Sequence, residues 1–296
     1  MSEPNLADYL SEAELRAVVS AALAEDIGAG DITTQGALGS RWDELERARL
    51  VAKADGVLAG QRAFALACEI VADTAGYVVE FAALDGERFA TGDALARITA
   101  PRGALLSAER TALNFLGRLS GIATLTAKYV QQVKHTACVI LDTRKTTPGL
   151  RALEKYAVRC GGGENHRRGL YDMALIKENH ILAAGSLTQA VENVCGYLKE
   201  MNLAAALEVE IRSESELREA LECGVTRLLL DNQSTASLRR LVEIARSVAP
   251  AVKLEASGNV TLANVAEIAE TGVDYISVGA LTHSAPVADL SLIFEA

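Results

Sequence analysis

The sequence predicts an α/β protein whose larger part is an incomplete (β/α) barrel, preceded by a smaller α/β domain. Three observations lead there. From about residue 138 six short apolar runs alternate with helix-like stretches, each run is followed by polar or glycine residues, and between 47 and 99 the rhythm is instead one of short β-like runs and Gly-containing turns. Strand–helix alternation implies a parallel sheet, because each crossover returns the chain to the same end. A doubly wound sheet would satisfy the alternation too, but it gathers its site at one switch point. Polar residues after all six strands favour a barrel with fewer than eight strands, whose mouth is assembled from every strand end.

The elements follow in order. Ser11-x-x-Glu14 is a capping box, and Leu15, Val18, Val19, Ala22 and Leu23 recur at helical spacing behind it. Gly28 and Gly30 stop that helix, and the acids Glu25, Asp26 and Asp31 around them read as a solvated turn, with a ligand role as the alternative. Strands are predicted at 48–52, 77–82 and 94–99 with a helix near 62–72, a small α+β domain. Ser107 opens a long helix with an apolar stripe that Gly117 and Gly121 are expected to interrupt. The barrel strands are predicted at 138–141, 173–176, 207–211, 227–230, 253–255 and 275–278. The domains are accordingly drawn as 1–114 and 115–284, with a tail, 285–296, packing back on the first.

Composition narrows the function. The 296 residues carry 29 Lys+Arg against 39 Asp+Glu, a net charge of −10, which excludes nucleic acid or anionic membrane as the main partner. The start of the chain lacks a signal-peptide pattern and no stretch approaches a membrane span, so a cytoplasmic protein is expected. Five scattered cysteines without a C-x-x-C pair signal neither disulfides nor a zinc cluster.

The basic residues are not evenly spread. Residues 142–168 hold seven Lys/Arg against three acids, a local balance of +4. Within this segment Arg151, Lys155 and Arg159 fall at helical spacing and read as a solvated face, whereas Arg144, Lys145, His166 and Arg167 read as an anion site, Arg suiting bidentate carboxylate or phosphate and Lys a phosphate point charge. Ser257-Gly258-Asn259, ahead of a helix expected from Thr261, and Gly279-Ala280 offer backbone N–H groups as a phosphate cradle. Glu208 and Glu210 share one face of a buried strand and Asp231 ends another; such acids are costly unless paired or bound to something, and Mg²⁺ or ribose hydroxyls are the suitable ligands.

Seven motifs in order carry a family resemblance: Glu25-Asp26-x-Gly-x-Gly-Asp31-x-Thr33-Thr34, Glu109-Arg110-Thr111-x-Leu113-Asn114, Asp142-Thr143-Arg144-Lys145-Thr146-x-Pro148-Gly149, Gly161-Gly162-Gly163-x-Asn165-His166-Arg167, Ile176-Lys177-x-Asn179-His180, Leu230-Asp231-Asn232 and Ser257-Gly258-Asn259. Together, over nearly the whole chain, they resemble the quinolinate phosphoribosyltransferase family. The resemblance implies an amino-terminal sandwich domain, a homodimer in which Arg110 reaches the neighbouring site, and Mg²⁺ as cofactor. It implies that Arg144, His166 and Arg167, with Lys177 nearby, bind the quinolinate carboxylates. Lys145, Lys177, Glu210 and Asp231 would serve catalysis around phosphoribosyl pyrophosphate and its metal, and Ser257, Gly258, Gly279 and His283 the 5′-phosphate. Thr143, Asn259 and Ala280 adjoin these and join the substrate-binding set. Two other readings stay open: Lys177 as the Schiff-base lysine of an aldolase, and a non-catalytic sugar-phosphate sensor or a relative associated with molybdate transport.

Overall fold

The computed structural model describes residues 4–73 and 76–295; the first three residues, part of the stretch read above for a signal peptide, lie outside them. The chain divides into two compact units, Met1–Ala127 with Thr146–Gly162 and Leu281–Ala296, and Lys128–Lys145 with Gly163–Ala280. The segment Thr146–Gly162, which the sequence placed among the barrel residues, groups with the first unit.

In the first unit the capping box forms as read. Ser11 Oγ accepts the Glu14 N–H at 3.3 Å, the Glu14 carboxylate accepts the Ser11 N–H at 2.7 Å, and Leu15, Val19 and Leu23 of the helix Glu12–Ile27 are buried. Gly28 ends it at φ +54°, a conformation that favours glycine. The next acid is not a solvated turn. Asp31 accepts the Thr34 hydroxyl at 2.5 Å, caps the helix Ile32–Leu38 through the Thr34 N–H at 2.9 Å and accepts the Ser107 hydroxyl at 2.9 Å; these bonds, those from Thr34 foremost, hold its carboxyl below the usual range. The strands β1 (Leu45–Ala52), β3 (Val78–Phe81) and β5 (Ala94–Pro101) follow the predicted positions, whereas the short antiparallel pair β2 (Gly56–Val57) and β4 (Arg88–Phe89) was not predicted. A four-stranded antiparallel sheet forms in the order Leu290–Phe294, β1, β5, β3, so the last strand of the chain pairs with the first. The helix Gln61–Ala72 buries Phe64, Leu66 and Cys68.

Two expectations are corrected here. The long helix starts earlier than Ser107 and runs from Arg102 to Val133 without a break at Gly117 or Gly121. These glycines admit the chain end instead: a Cβ on Gly121 would lie 1.9 Å from Pro286 O, and Ala288 N–H donates to Gly117 O at 2.9 Å. The helix Arg151–Cys160 is not a solvated face either, since Glu154 and Lys155 are buried. Glu154 accepts Arg118 Nη2 at 2.8 Å and the Thr147 N–H and hydroxyl at 3.0 and 2.7 Å, so its charge is paired and fully hydrogen-bonded, the condition for burying one.

In the second unit the strands β6 (Val139–Leu141), β7 (Met173–Ile176), β8 (Ala206–Ile211), β9 (Arg227–Asp231), β10 (Lys253–Ser257) and β11 (Tyr275–Ser277) form one all-parallel sheet in the order β6-β11-β10-β9-β8-β7. This order decides between the two topologies. From β7 onward each strand neighbours its successor, and the first strand, β6, pairs with the last, β11, so the sheet curls round without the reversal a doubly wound sheet needs. The result is a barrel left open between β6 and β7. Beside that seam a parallel bridge joins Leu141 and Glu164, with Asp142 N–H donating to Glu164 O at 3.1 Å. The helices after the last two strands are short: Val265–Ala269 begins four residues beyond Thr261, whose N–H is taken by Asn264 Oδ1 at 2.8 Å, and Ala280–His283 has four residues.

Candidate active site

Period-two alternation aims Glu208 and Glu210 of β8, Arg227 and Asp231 of β9, and Glu255 and Ser257 of β10 at a common interior face. They fall into two layers. The upper lies at the carboxyl strand ends, where Lys177 Nζ donates to Glu210 Oε2 at 2.9 Å. Arg212, just past β8, pairs with Glu178 at 2.5 Å and lies 3.6 Å from Glu210 and 3.9 Å from Asp231. One guanidinium therefore stands close to both carboxylates, which face the space of a single cation. The lysine and arginine are both about half exposed, at 49 and 47 %, so these pairs can be exchanged for others at little cost.

Beside this layer the segment after β6 assembles the cations. Asp142 is fully buried and anchors the segment across the seam, accepting Asn165 Nδ2 at 2.7 Å and the His166 N–H at 2.9 Å. Burial pushes the Arg167 pKa down, and the neighbouring Arg144 guanidinium pushes it down further. Among the described residues the buried Arg144 Nε has no hydrogen-bond partner. Two like charges held together, one with an unused donor, form a preorganised anion site. Thr143 Oγ1 accepts the Lys145 N–H at 3.0 Å, and Lys145 is exposed.

Glycine shapes the next strand end. Gly258 has φ +98°, and a Cβ there would lie 2.1 Å from Asn232 Oδ1; Asn232 and Asn259 are also left-handed at +52° and +51°. Asn232 N–H donates to Ser257 O at 2.8 Å and Asn259 Nδ2 to Asn232 Oδ1 at 3.2 Å, which joins the ends of β9 and β10 into one loop pair. With only the short helix Val265–Ala269 behind it, the β10 loop offers anions backbone N–H groups more than a helix macrodipole. Gly279 and Ala280 stand half-buried at the end of β11. Arg110 and His283 belong to the first unit, where both are exposed and His283 Nδ1 lies 2.6 Å from Ser284 Oγ.

The lower layer is closed. Glu208 and Glu255 are fully buried, and Arg227 bridges them, donating Nε to Glu208 at 2.9 Å and Nη2 to Glu255 at 2.6 Å, while its guanidinium stacks 4.6 Å from the Tyr275 ring centre. His166 Nε2 lies 3.0 Å from Glu208 and 3.4 Å from Glu255. Burial alone would lower the His166 pKa, but the two carboxylates outweigh it and raise it to about 9. The Arg167 N–H donates into Nδ1 at 2.8 Å and pulls the other way, because an imidazolium has no acceptor nitrogen. The geometry places Nδ1 toward the Arg167 N–H and Nε2 toward the two carboxylates.

Sequence reasoning missed Arg212, Arg227 and Glu255. Charged residues at interior positions of successive apolar strands were the available signal, since parallel barrel strands ordinarily carry apolar side chains there.

The upper layer, with its paired arginines, facing carboxylates and glycine loops, defines a barrel enzyme acting on polyanionic substrates. Comparison with known proteins sharpens that class. The family model for the quinolinate phosphoribosyl transferase N-terminal domain matches residues 31–120 and that for the C-terminal domain residues 122–293. A probable nicotinate-nucleotide pyrophosphorylase (carboxylating) of a Synechocystis species is 44 % identical over 91 % of this chain and 89 % of its own, and one of Bacillus subtilis is 40 % identical over 96 and 94 %. The solved nicotinate-nucleotide pyrophosphorylase of Francisella tularensis superposes with a TM-score of 0.89 at 37 % identity, covering 97 % of this chain and 98 % of its own. The chain belongs to the quinolinate phosphoribosyltransferase family and is a phosphoribosyl-transferring enzyme.

Proposed function

We infer that the protein transfers the phosphoribosyl group of phosphoribosyl pyrophosphate to quinolinate with decarboxylation, giving nicotinate mononucleotide, pyrophosphate and CO₂ in de novo NAD biosynthesis. The observation that carries this reading beyond family membership is the Arg144–Arg167 pair, two cations assembled where a dicarboxylate would sit. Thr143 and Lys177 border that position, and Arg110 of a neighbouring subunit completes it in a homodimer. The sugar phosphate occupies the loops of Ser257, Gly258, Asn259, Gly279 and Ala280, with His283 at the phosphate end.

The pyridine nitrogen attacks ribose C1 while the C1–O bond breaks and its electron pair leaves with pyrophosphate. Lys145 and Lys177 stabilise the departing charge, and fixed charges in a closed site are the main source of acceleration. The quaternised ring then loses its adjacent carboxylate as CO₂; the electron pair stays on the ring carbon beside N⁺, and a proton from solvent replaces the carboxylate. No strong general base is required. Glu210 and Asp231 are the residues that would hold Mg²⁺: both are oxygen donors, and both already lie within 4.0 Å of one cationic group, Arg212. When bound, the metal would neutralise pyrophosphate charge.

The aldolase reading fares worse, because Lys177 Nζ is held by the Glu210 carboxylate at 2.9 Å and stands half exposed, whereas a Schiff-base lysine is activated by desolvation in an apolar pocket. Among the described residues no helix is long and apolar enough to cross a membrane, and we place the enzyme in the cytoplasm. The deciding assay is CO₂ release from carboxyl-labelled quinolinate with and without phosphoribosyl pyrophosphate and Mg²⁺. Release that requires both supports the reading, and release indifferent to the sugar phosphate removes it.

A further inference from the structure

The lower layer of the barrel is a closed network that the reaction above does not use. Glu208 Oε1 and Glu255 Oε2 are taken by the fork of Arg227, at 2.9 and 2.6 Å. Their other oxygens, Glu208 Oε2 and Glu255 Oε1, are buried and make no well-aligned hydrogen bond among the described residues, and both lie beside His166 Nε2, at 3.0 and 3.4 Å. The other ring nitrogen is occupied by the Arg167 N–H at 2.8 Å, and the His166 N–H is held by Asp142 Oδ1 at 2.9 Å. Both ring nitrogens thus face protein groups, and the side chain is 7 % exposed. A histidine so placed has no nitrogen left for a substrate carboxylate.

We propose that His166 is a positioning residue rather than a carboxylate ligand: Glu208, Glu255 and Arg227 lock its ring from below, and the ring in turn fixes the backbone of Arg167, so that the Arg167 guanidinium stays beside Arg144. This rests on the reading of Arg144 and Arg167 as the dicarboxylate site. The same three ligand atoms lie within 4.8 Å of one another and would be near enough for a metal ion. Arg227 argues for the proton-bridged network, because it already neutralises one oxygen of each acid and its charge would repel a second cation. The acids act at two removes: they hold the ring, the ring holds a main-chain N–H, and that N–H sets where an arginine starts. Preorganisation of this kind is felt in the binding of the one substrate the arginine meets.

The test is a split between the two substrates, with a spectroscopic check. Michaelis constants for quinolinate and for phosphoribosyl pyrophosphate are measured in Glu208→Gln and Glu255→Gln, and the ¹⁵N resonances of the His166 ring are recorded in the parent enzyme with and without quinolinate. The quinolinate constant should rise about tenfold in each variant, with that for the sugar phosphate changing less than about twofold. The ring resonances should stay where they are when quinolinate binds. Equal changes in both constants, or in neither, would overturn the proposal, as would ring resonances that shift when quinolinate binds. Should the glutamine variants fail to fold, the parent spectrum decides alone. Should the parent turn over no quinolinate, the functional reading fails separately, and the His166 ring resonances of the free parent against those of Glu208→Gln still judge the network: a network that holds the ring predicts that they differ, and identical spectra overturn it.

Discussion

Glu208 and Glu210 are the same residue type two positions apart on one strand, about 7 Å along it, and the barrel gives them opposite situations. Glu210, at the mouth, meets a lysine and an arginine that are each about half exposed. Glu208, one layer down, has no exposed surface and shares a partly buried arginine with an equally buried Glu255. Solvent accounts for the difference. At the mouth water screens the pairs and can take either partner, so the carboxylates remain available to another cation. In the interior an unpaired charge has no alternative partner, so removing one member of the network leaves the others uncompensated.

The largest effect should come from breaking the lower layer. Arg227→Ala leaves two buried carboxylates facing one imidazole and should cost about 3–5 kcal/mol of stability, read by denaturant or thermal unfolding. A loss below about 1 kcal/mol would show that water reaches this layer and would erase the contrast. The mouth should answer in the other observable. Glu210→Gln or Asp231→Asn should lower kcat about 100-fold or more while the unfolding free energy moves by no more than about 1 kcal/mol. Next in size is the cation pair: Arg144→Ala or Arg167→Ala should raise the quinolinate Michaelis constant about ten- to hundredfold, the loss of one charge-assisted bidentate contact. Unchanged kinetics would remove these arginines from the site.

The smallest effect lies at the opposite end of the strands and shows what a partly screened pair contributes. Asp274 accepts the Leu254 N–H at 2.9 Å, Arg246 Nη2 at 2.7 Å and Lys253 Nζ at 2.9 Å. Burial alone would raise its pKa, but the Leu254 N–H and the two cations outweigh it and hold the carboxyl below its ordinary value of 3.8. Because the folded pKa lies below the unfolded one, the stabilisation is present above about pH 4 and is lost as pH falls through the lowered value. Asp274→Asn should therefore cost about 1 kcal/mol near neutrality, and its deficit against the parent should shrink in acid unfolding below pH 4. A deficit independent of pH would mean that the side chain acts through its shape alone.

Much of this was legible in the chain. The six barrel strands were placed within two residues at nearly every boundary, because parallel strands buried on both faces read as compact apolar runs. The capping box at Ser11 and Glu14 was local chemistry and formed as read. Where the reading failed, a distant segment had intervened. Gly117 and Gly121 look like helix breakers until residues 286–288 lie against them, and Lys155 looks solvated until its helix is buried. His166 was legible as a site residue, but nothing in its neighbours along the chain reveals that both ring nitrogens are occupied by protein.

By itself, then, the sequence determined the strand–helix rhythm, the polar residues at the strand ends and the motifs that carry the family, because each depends on residues close together in the chain. Only the tertiary structure decided that the sheet curls with β6 against β11, which acids meet water and which meet Arg227, and which way the His166 ring faces. The reason is that charge acquires its meaning from its surroundings: a carboxylate in screened solvent is a ligand in waiting, whereas the same group in a closed interior is bound to its partners by the cost of leaving it alone.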